Sequence, residues 1–457
     1  MPDLDREYLR RIGARIYGEA NDLKRTPQAL ADDLGQPIDL IEHVIAGEAN
    51  VETAEGLLRA IADLYPVSLA DLWVERDDTD AGVVVMRAEA SAKTARVFDR
   101  VDKDGNLSAY YEYRDTAMSS RGPYKPEWIK ELRSVKDTDP NNPDVAYNNG
   151  HLMYQLTFFI GEVNFYWEID GKKFVSEMNT GDSNFITPYC PHSFASRNPD
   201  APGLIIAVTF VGAVRRALES FQQLGAEHAS TLAGNSYDPL SRQAAVIARN
   251  RDAESLGIAD LAARLAKNGI EKDRALTLSA GEALPTQEEI DALATALNVR
   301  PRDLIVTPLD PSEAVVVAKI SSTGSRAFPD TNSPQYRFTD LARTRHQPEL
   351  KGFEVAVLGD DREKGWVRHG LHEYVYNYGD APVVFWWGES RSEILGPGDS
   401  AYVQPMVPHG FTRADGGAPG NIVMIRVPGE ISAPVLDEFS GFGADRTRVT
   451  GETKTWF

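Results

Sequence analysis

Residues 181–194, GDSNFITPYCPHSF, return at 398–411 as GDSAYVQPMVPHGF. A likeness of this length inside one chain marks an internal duplication. Each copy alternates apolar and polar residues after a Gly-Asp pair and then turns at Pro-His, as a half-buried strand entering a tight turn does. Upstream, HLMYQLTFFIGEVNFYWEIDGKKF and HEYVYNYGDAPVVFWWGESRSEIL each read as consecutive strands joined by Gly/Asp turns.

Many short strands in this arrangement predict a jelly-roll β-barrel of the cupin type, once in each half. The helical parts repeat as well: LKRTPQALADDLGQPIDLIEHVIAGEAN at 23–50 resembles SLGIADLAARLAKNGIEKDRALTLSAGEAL at 255–284. In the first copy Thr26 is placed to cap a helix, Ala29, Leu30 and Leu34 share its inner face, and Gly35 supplies the turn to the next. That is a helix-turn-helix. The expected class is α+β, a tandem repeat of helix-turn-helix module plus cupin barrel. The expected divisions are 1–80 (helical), 81–215 (barrel), 216–312 (helical) and 313–457 (barrel), with a linker somewhere in 212–250.

The 457 residues suit several domains rather than one. With 48 Lys plus Arg against 68 Asp plus Glu, the formal charge is -20, so the surface as a whole repels polyanions. A helix-turn-helix joined to a cupin invites a transcriptional-regulator reading, but residues 23–73 carry three basic against nine acidic side chains. Asp39, Glu42 and Glu48 would face the groove, so no nucleic-acid partner is expected and the modules are assigned to subunit packing. Cys190 is the only cysteine, which excludes internal disulfides and Cys-rich metal sites and fits a reducing compartment. MPDLDREYLRR has no signal-peptide core and no apolar run of about 18 residues occurs. A cytoplasmic, membrane-free protein is expected.

His151 and His192 stand 41 residues apart, one on an expected inward strand and one just past a proline at a barrel turn. One buried histidine is ordinarily a packing residue, whereas two at matched places in a barrel point to a mononuclear metal site. A carboxylate usually completes such a set. Here Gln155, on the same strand face as His151, is the best-placed third donor, either as a ligand or as a hydrogen-bonding group inside the barrel. In the second copy His372 and His409 read as the counterparts, Tyr376 falls where Gln155 does, and Glu373 and His369 lie nearby. That barrel is expected to be metal-free. Cys190, between Tyr189 and Pro191, reads as a small packing residue.

NNGH at 148–151, GDSNFITPYCPHSF at 181–194 and the duplicated frame resemble the hydroxyethylphosphonate dioxygenase and methylphosphonate synthase family over nearly the whole chain. The resemblance implies a mononuclear non-heme Fe(II) enzyme that uses O2 to cleave the carbon-carbon bond of 2-hydroxyethylphosphonate. The synthase branch yields methylphosphonate and carbon dioxide; the dioxygenase branch yields hydroxymethylphosphonate and formate. The dioxygenase carries a ligand glutamate where this chain has Ile186, and the synthase carries a ligand glutamine where this chain has Gln155. Both positions match the synthase, so the implied metal set is His151, Gln155 and His192, with the dioxygenase and the regulator as alternatives. The implied chemistry has the substrate bound through its alcohol and a phosphonate oxygen, followed by O2 binding and removal of hydrogen from C2.

A phosphonate dianion needs charge-assisted donors. Asn148 matches a phosphonate-binding residue of the family, against a local role as an Asx turn. Tyr113 in YYEYRD matches a family tyrosine, with Tyr111 as the alternative, and Lys103 falls near a family arginine, with Arg100 competing. Lys24 aligns with a lysine that the family extends from a neighbouring subunit. This implies a homo-oligomer whose helical modules cover the active site.

Overall fold

The computed structural model describes residues 2–414 and 417–451. Helix and sheet are both abundant. Helices Pro2–Asp22, Pro27–Leu34, Ile38–Ala46, Val51–Leu64 and Leu69–Leu72 close on one apolar cluster that includes Ile12, Ile16, Leu30, Ile41 and Leu58. Thr26 Oγ1 accepts from Ala29 N at 3.2 Å, and Gly35 ends that helix at φ 61. Helices Pro239–Ala253, Ile258–Lys267, Lys272–Ala280, Gln287–Leu297 and Pro301–Leu304 build a second cluster around Ile247, Leu261, Leu278 and Leu293. Residues 212–250, expected to hold a linker, carry the helix Val214–Ala233, which buries none of its residues, and most of Pro239–Ala253. Among the described residues no helix is long and apolar enough to cross a membrane.

The strands form two seven-stranded and two three-stranded antiparallel sheets. In the first large sheet the order is Val315–Ala318, Ser183–Ile186, Tyr154–Ile160, Leu204–Phe210, Tyr124–Glu131, Leu107–Asp115, Arg96–Val101. One face packs on the small sheet of Lys172–Met178, Val163–Ile169 and His192–Ser196 through Ile129, Phe159, Phe165, Phe194 and Ile205. The other face, with Leu156, Phe158, Ile206 and Val208, meets Tyr374, Tyr402, Val423 and Ile425 of the second large sheet. Period-two alternation along Leu204–Phe210 serves both: Ile205 and Ala207 look inward, Ile206 and Val208 outward. The second large sheet runs Val83–Met86, Ser400–Val403, His372–Asn377, Gly420–Val427, Lys351–Val357, Tyr336–Asp340, Ser325–Phe328, and covers the small sheet of Arg391–Leu395, Val383–Trp387 and His409–Arg413.

The two sandwiches exchange their edge strands. Val83–Met86, which follows the first helical module, pairs with Ser400–Val403, and Val315–Ala318 pairs with Ser183–Ile186. Divisions at 81 and 313 therefore separate stretches of chain but not sheets. Each borrowed strand satisfies backbone donors and acceptors that would otherwise form an open edge.

Candidate metal centre

The first sandwich gathers its site from two loops and two strands. His151 stands in the loop before Tyr154–Ile160 rather than in the strand, and His192 opens the strand His192–Ser196. Gly150 lets the loops meet: its φ is 72, and a Cβ there would lie 2.4 Å from the carbonyl carbon of Tyr189. Tyr189 N then donates to His151 O at 2.8 Å. Asn148 ties the same loops, donating through N to His192 O at 3.0 Å and accepting at Oδ1 from Gly150 N at 2.9 Å and His192 N at 3.0 Å. The Asx turn is thus formed, and it also delivers the amide Nδ2 to within 3.1 Å of His192 Nε2.

The rings of His151 and His192 stand 5.2 Å apart at 84°. His151 Nδ1 is 3.1 Å from Met153 O and His192 Nδ1 is 2.9 Å from Cys190 O, so both rings spend their N–H on backbone carbonyls and present Nε2. Gln155 is buried, and its Nε2 donates to Thr157 Oγ1 at 2.9 Å, which leaves Oε1 as the atom 3.3 Å from His151 Nε2. His151 therefore meets an oxygen acceptor at each ring nitrogen, more than the single proton of a neutral imidazole can serve. A cation between Nε2 and Oε1 satisfies both. Burial drives the His192 imidazole down to about 4, the Cys190 carbonyl opposing and His151 assisting, so the ring is neutral at pH 7 and its Nε2 lone pair accepts from Asn148 Nδ2. Two imidazoles and an amide oxygen are a donor set that a first-row transition ion accepts.

Around this set the other expected residues are placed unevenly. Tyr113 is half-buried on the inner face, edge-on to Phe98 at 5.0 Å and to Tyr111 at 5.8 Å. Burial pushes its hydroxyl above the usual tyrosine range, with Glu127 and Glu131 adding and Arg100 and Arg96 opposing. Tyr111 is spent on structure, its hydroxyl bonding Phe194 O at 3.2 Å and Phe194 N at 3.0 Å. Lys103 is turned elsewhere: its ammonium is 3.8 Å from Asp144 and its side chain 56% exposed, whereas Arg100 lies within electrostatic range of Tyr113. Lys24 is exposed in the turn after the first helix, at φ 57, with Nζ 3.2 Å from Asn21 O. Cys190 contributes its carbonyl to His192, and burial pushes its thiol up to about 11.

Sequence reading missed Thr157, which orients the Gln155 amide, although the i+2 rule places it on the same face. It also missed Glu127, whose half-buried carboxyl is raised by burial.

The second sandwich corrects the expected pairing of histidines. Gln155 lies opposite Ile186 and Thr209, while Glu373 lies opposite Val403 and Arg426. Since Ile186 and Val403 hold the same place in the repeated motif, the counterpart of Gln155 is Glu373, not Tyr376. Met406 N donates to His369 O as Tyr189 N does to His151 O, so the counterpart of His151 is His369, not His372. His372 points away, its Nδ1 2.8 Å from Tyr402 Oη. His369, Glu373 and His409 converge: Nε2 of His369 is 3.0 Å from Glu373 Oε2, and Nε2 of His409 is 2.9 Å from Oε1. Arg426 Nε donates to Oε2 at 2.6 Å. Burial alone would raise the Glu373 carboxyl, but Arg426 and His409 overcome it and hold the group well below the usual carboxylate range. The shared spacing H-x-x-x-Q and H-x-x-x-E was the signal available in the sequence.

No family model matches the chain. It is 36% identical over 470 residues to methylphosphonate synthase from Nitrosopumilus maritimus, covering 98% of this chain and 96% of that protein. It is 26% identical to 2-hydroxyethylphosphonate dioxygenase from Streptomyces viridochromogenes over 85% of this chain and 86% of that one. A solved structure of 2-hydroxyethylphosphonate dioxygenase from Streptomyces albus, with 2-hydroxyethylphosphonate and Fe(II) bound, superposes with a TM-score of 0.87 at 32% identity, covering 99% of both chains.

Proposed function

The chain belongs to the methylphosphonate synthase and 2-hydroxyethylphosphonate dioxygenase family, and from that premise we propose that it is an Fe(II)- and O2-dependent enzyme converting 2-hydroxyethylphosphonate to methylphosphonate and carbon dioxide. Its four stretches, 1–80, 81–215, 216–312 and 313–457, read as helix-turn-helix, cupin, helix-turn-helix and cupin in tandem, working in the cytoplasm as a homo-oligomer.

His151, Gln155 and His192 hold the iron in this reading. The observation that carries it is the pair of acceptors around His151, Met153 O at 3.1 Å and Gln155 Oε1 at 3.3 Å, with His192 beside them. Bound Fe(II) supplies the redox chemistry and open positions for O2 and substrate. Gln155 contributes an oxygen without a charge. The ion keeps its full double positive charge, which suits a phosphonate dianion taken into a largely buried site.

Asn148 Nδ2, already beside the ligand atom of His192, donates to the phosphonate, and the hydroxyl of Tyr113, protonated at neutral pH, adds a second donor. Lys103 or Arg100 adds a cation, and Arg100 is favoured because it lies within electrostatic range of Tyr113. Lys24 would come from a neighbouring copy, since within its own chain it sits in an exposed turn of the helical module. Thr157 keeps the amide oxygen of Gln155 turned to the metal.

Anaerobic Fe(II) loading, addition of 2-hydroxyethylphosphonate and O2, and phosphorus NMR of the products test this. A methylphosphonate signal is expected. Hydroxymethylphosphonate would place the chain in the dioxygenase branch, and unchanged substrate in an iron-loaded sample would overturn the substrate assignment.

A further inference from the structure

By donor set alone, the second sandwich holds the stronger metal site, because His369 and His409 converge on a carboxylate, whereas in the first His151 meets the Gln155 amide with His192 beside it. What separates the two is the residue across the strand pair. Thr209 lies opposite Gln155; Arg426 lies opposite Glu373 and donates Nε to Oε2 at 2.6 Å. Glu373 is fully buried, and the Arg426 side chain is 17% exposed, stacked 5.2 Å from Phe353.

The residues at matched positions differ as well. Val367 makes the backbone bond to His409 that Asn148 makes to His192. Phe338 pairs with Val355 as Tyr113 pairs with Ile129, and Phe353 with Met424 as Glu127 with Ala207. Polar side chains at these places in the first sandwich are thus replaced by apolar ones in the second.

Charge decides the outcome. Glu373 and Arg426 together are neutral. A divalent ion added to them would bring two positive charges into an apolar enclosure with no anionic substrate to offset them. With the arginine charge gone, the same ion would meet a carboxylate and two imidazoles.

We propose that Arg426 is a built-in cation standing in place of a metal ion, and that removing its charge converts His369, Glu373 and His409 into a working site for a divalent transition ion. In the wild type Arg426 meets the charge of Glu373; without it the buried carboxylate has no cation, and a divalent ion can supply one.

The test counts bound ions by elemental analysis after loading with Fe(II) or Zn(II) and desalting. Arg426→Met is expected to bind one equivalent more than wild type, and the gain is expected to vanish in Arg426→Met combined with Glu373→Gln. The readout is the difference between variant and wild type, so it stands whether or not the first site takes iron. In chelator, Arg426→Met should melt several degrees below wild type and recover on addition of Zn(II), a response wild type lacks. Arg426→Thr, carrying the residue of the first sandwich, replaces the methionine variant if that one does not fold. The proposal is overturned if Glu373→Gln alone removes an equivalent from the wild-type protein. It is equally overturned if a folded Arg426 variant gains no ion and its melting ignores metal.

Discussion

The two sandwiches share strand order and hydrogen-bond register, and each sets two imidazoles beside one oxygen-bearing side chain, yet the charge of that side chain differs. In the first the oxygen belongs to Gln155, bonded to Thr157 and near Asn148 on His192; in the second it belongs to Glu373, opposite Arg426, with Val375 and Val367 at the places of Thr157 and Asn148. A neutral ligand in a polar pocket leaves a metal's charge available to an anion. A carboxylate paired with an internal cation in an apolar pocket needs neither metal nor anion. The same frame therefore sets a neutral or a charged oxygen beside its imidazoles according to a few side chains on its inner face.

The comparison can be broken most directly with the histidines. His192→Ala is expected to lose bound iron and reduce turnover by at least about 10³-fold, while His409→Ala leaves iron content and turnover within about twofold of wild type. Equal losses from both would mean that the second cluster takes part in catalysis.

Stability separates the carboxylate from the amide. In chelator, Glu373→Ala leaves Arg426 buried without its partner and should cost about 3–5 kcal/mol in denaturant unfolding. Gln155→Ala removes a neutral hydrogen bond to Thr157 and should cost about 1 kcal/mol. Comparable costs would contradict the charge difference drawn between the sites.

Substrate affinity sharpens the role of the loop residue. Asn148→Ala removes a donor to a charged group, worth about 1.5–3 kcal/mol, so binding of 2-hydroxyethylphosphonate to the iron-loaded enzyme should weaken about 10- to 100-fold. Val367→Ala, at the matching place, should leave it unchanged.

The smallest effect is a slope. His192 in the metal-free protein titrates at about 4, below the ordinary histidine value of 6.5. Between these the unfolded chain binds a proton that the folded chain refuses, so stability falls as pH drops through that window, by about 1.4 kcal/mol per unit at most. His192→Asn should flatten the slope. An unchanged slope would show that His192 is not a neutral buried imidazole.

Much of this was available in the residue order. The 181–194 and 398–411 motifs announced the duplication, and Thr26 and Gly35 marked a helix and its end that the structure bears out in their hydrogen bonds and dihedrals. His151, Gln155 and His192 stood out as candidates because the repeated Pro-His motif marks His192 and the H-x-x-x-Q spacing links Gln155 to His151. The second trio could not be paired correctly, because matching by identity joined His151 to His372, whereas backbone register joins it to His369. Side chains in a strand change face with every residue, so a small misalignment turns a ligand into an outward packing residue.

Composition and motif thus supplied the net charge, the repeated Gly-Asp to Pro-His stretch and His151 with His192 as a candidate pair, since these follow from residue type and local periodicity. Tertiary structure alone decided that each sandwich borrows its edge strand from the other half of the chain. It alone brought Arg426 against Glu373, 53 residues away. Contacts at such separation are set by strand register and by which faces can be buried together, and neither is written in any local stretch of the chain.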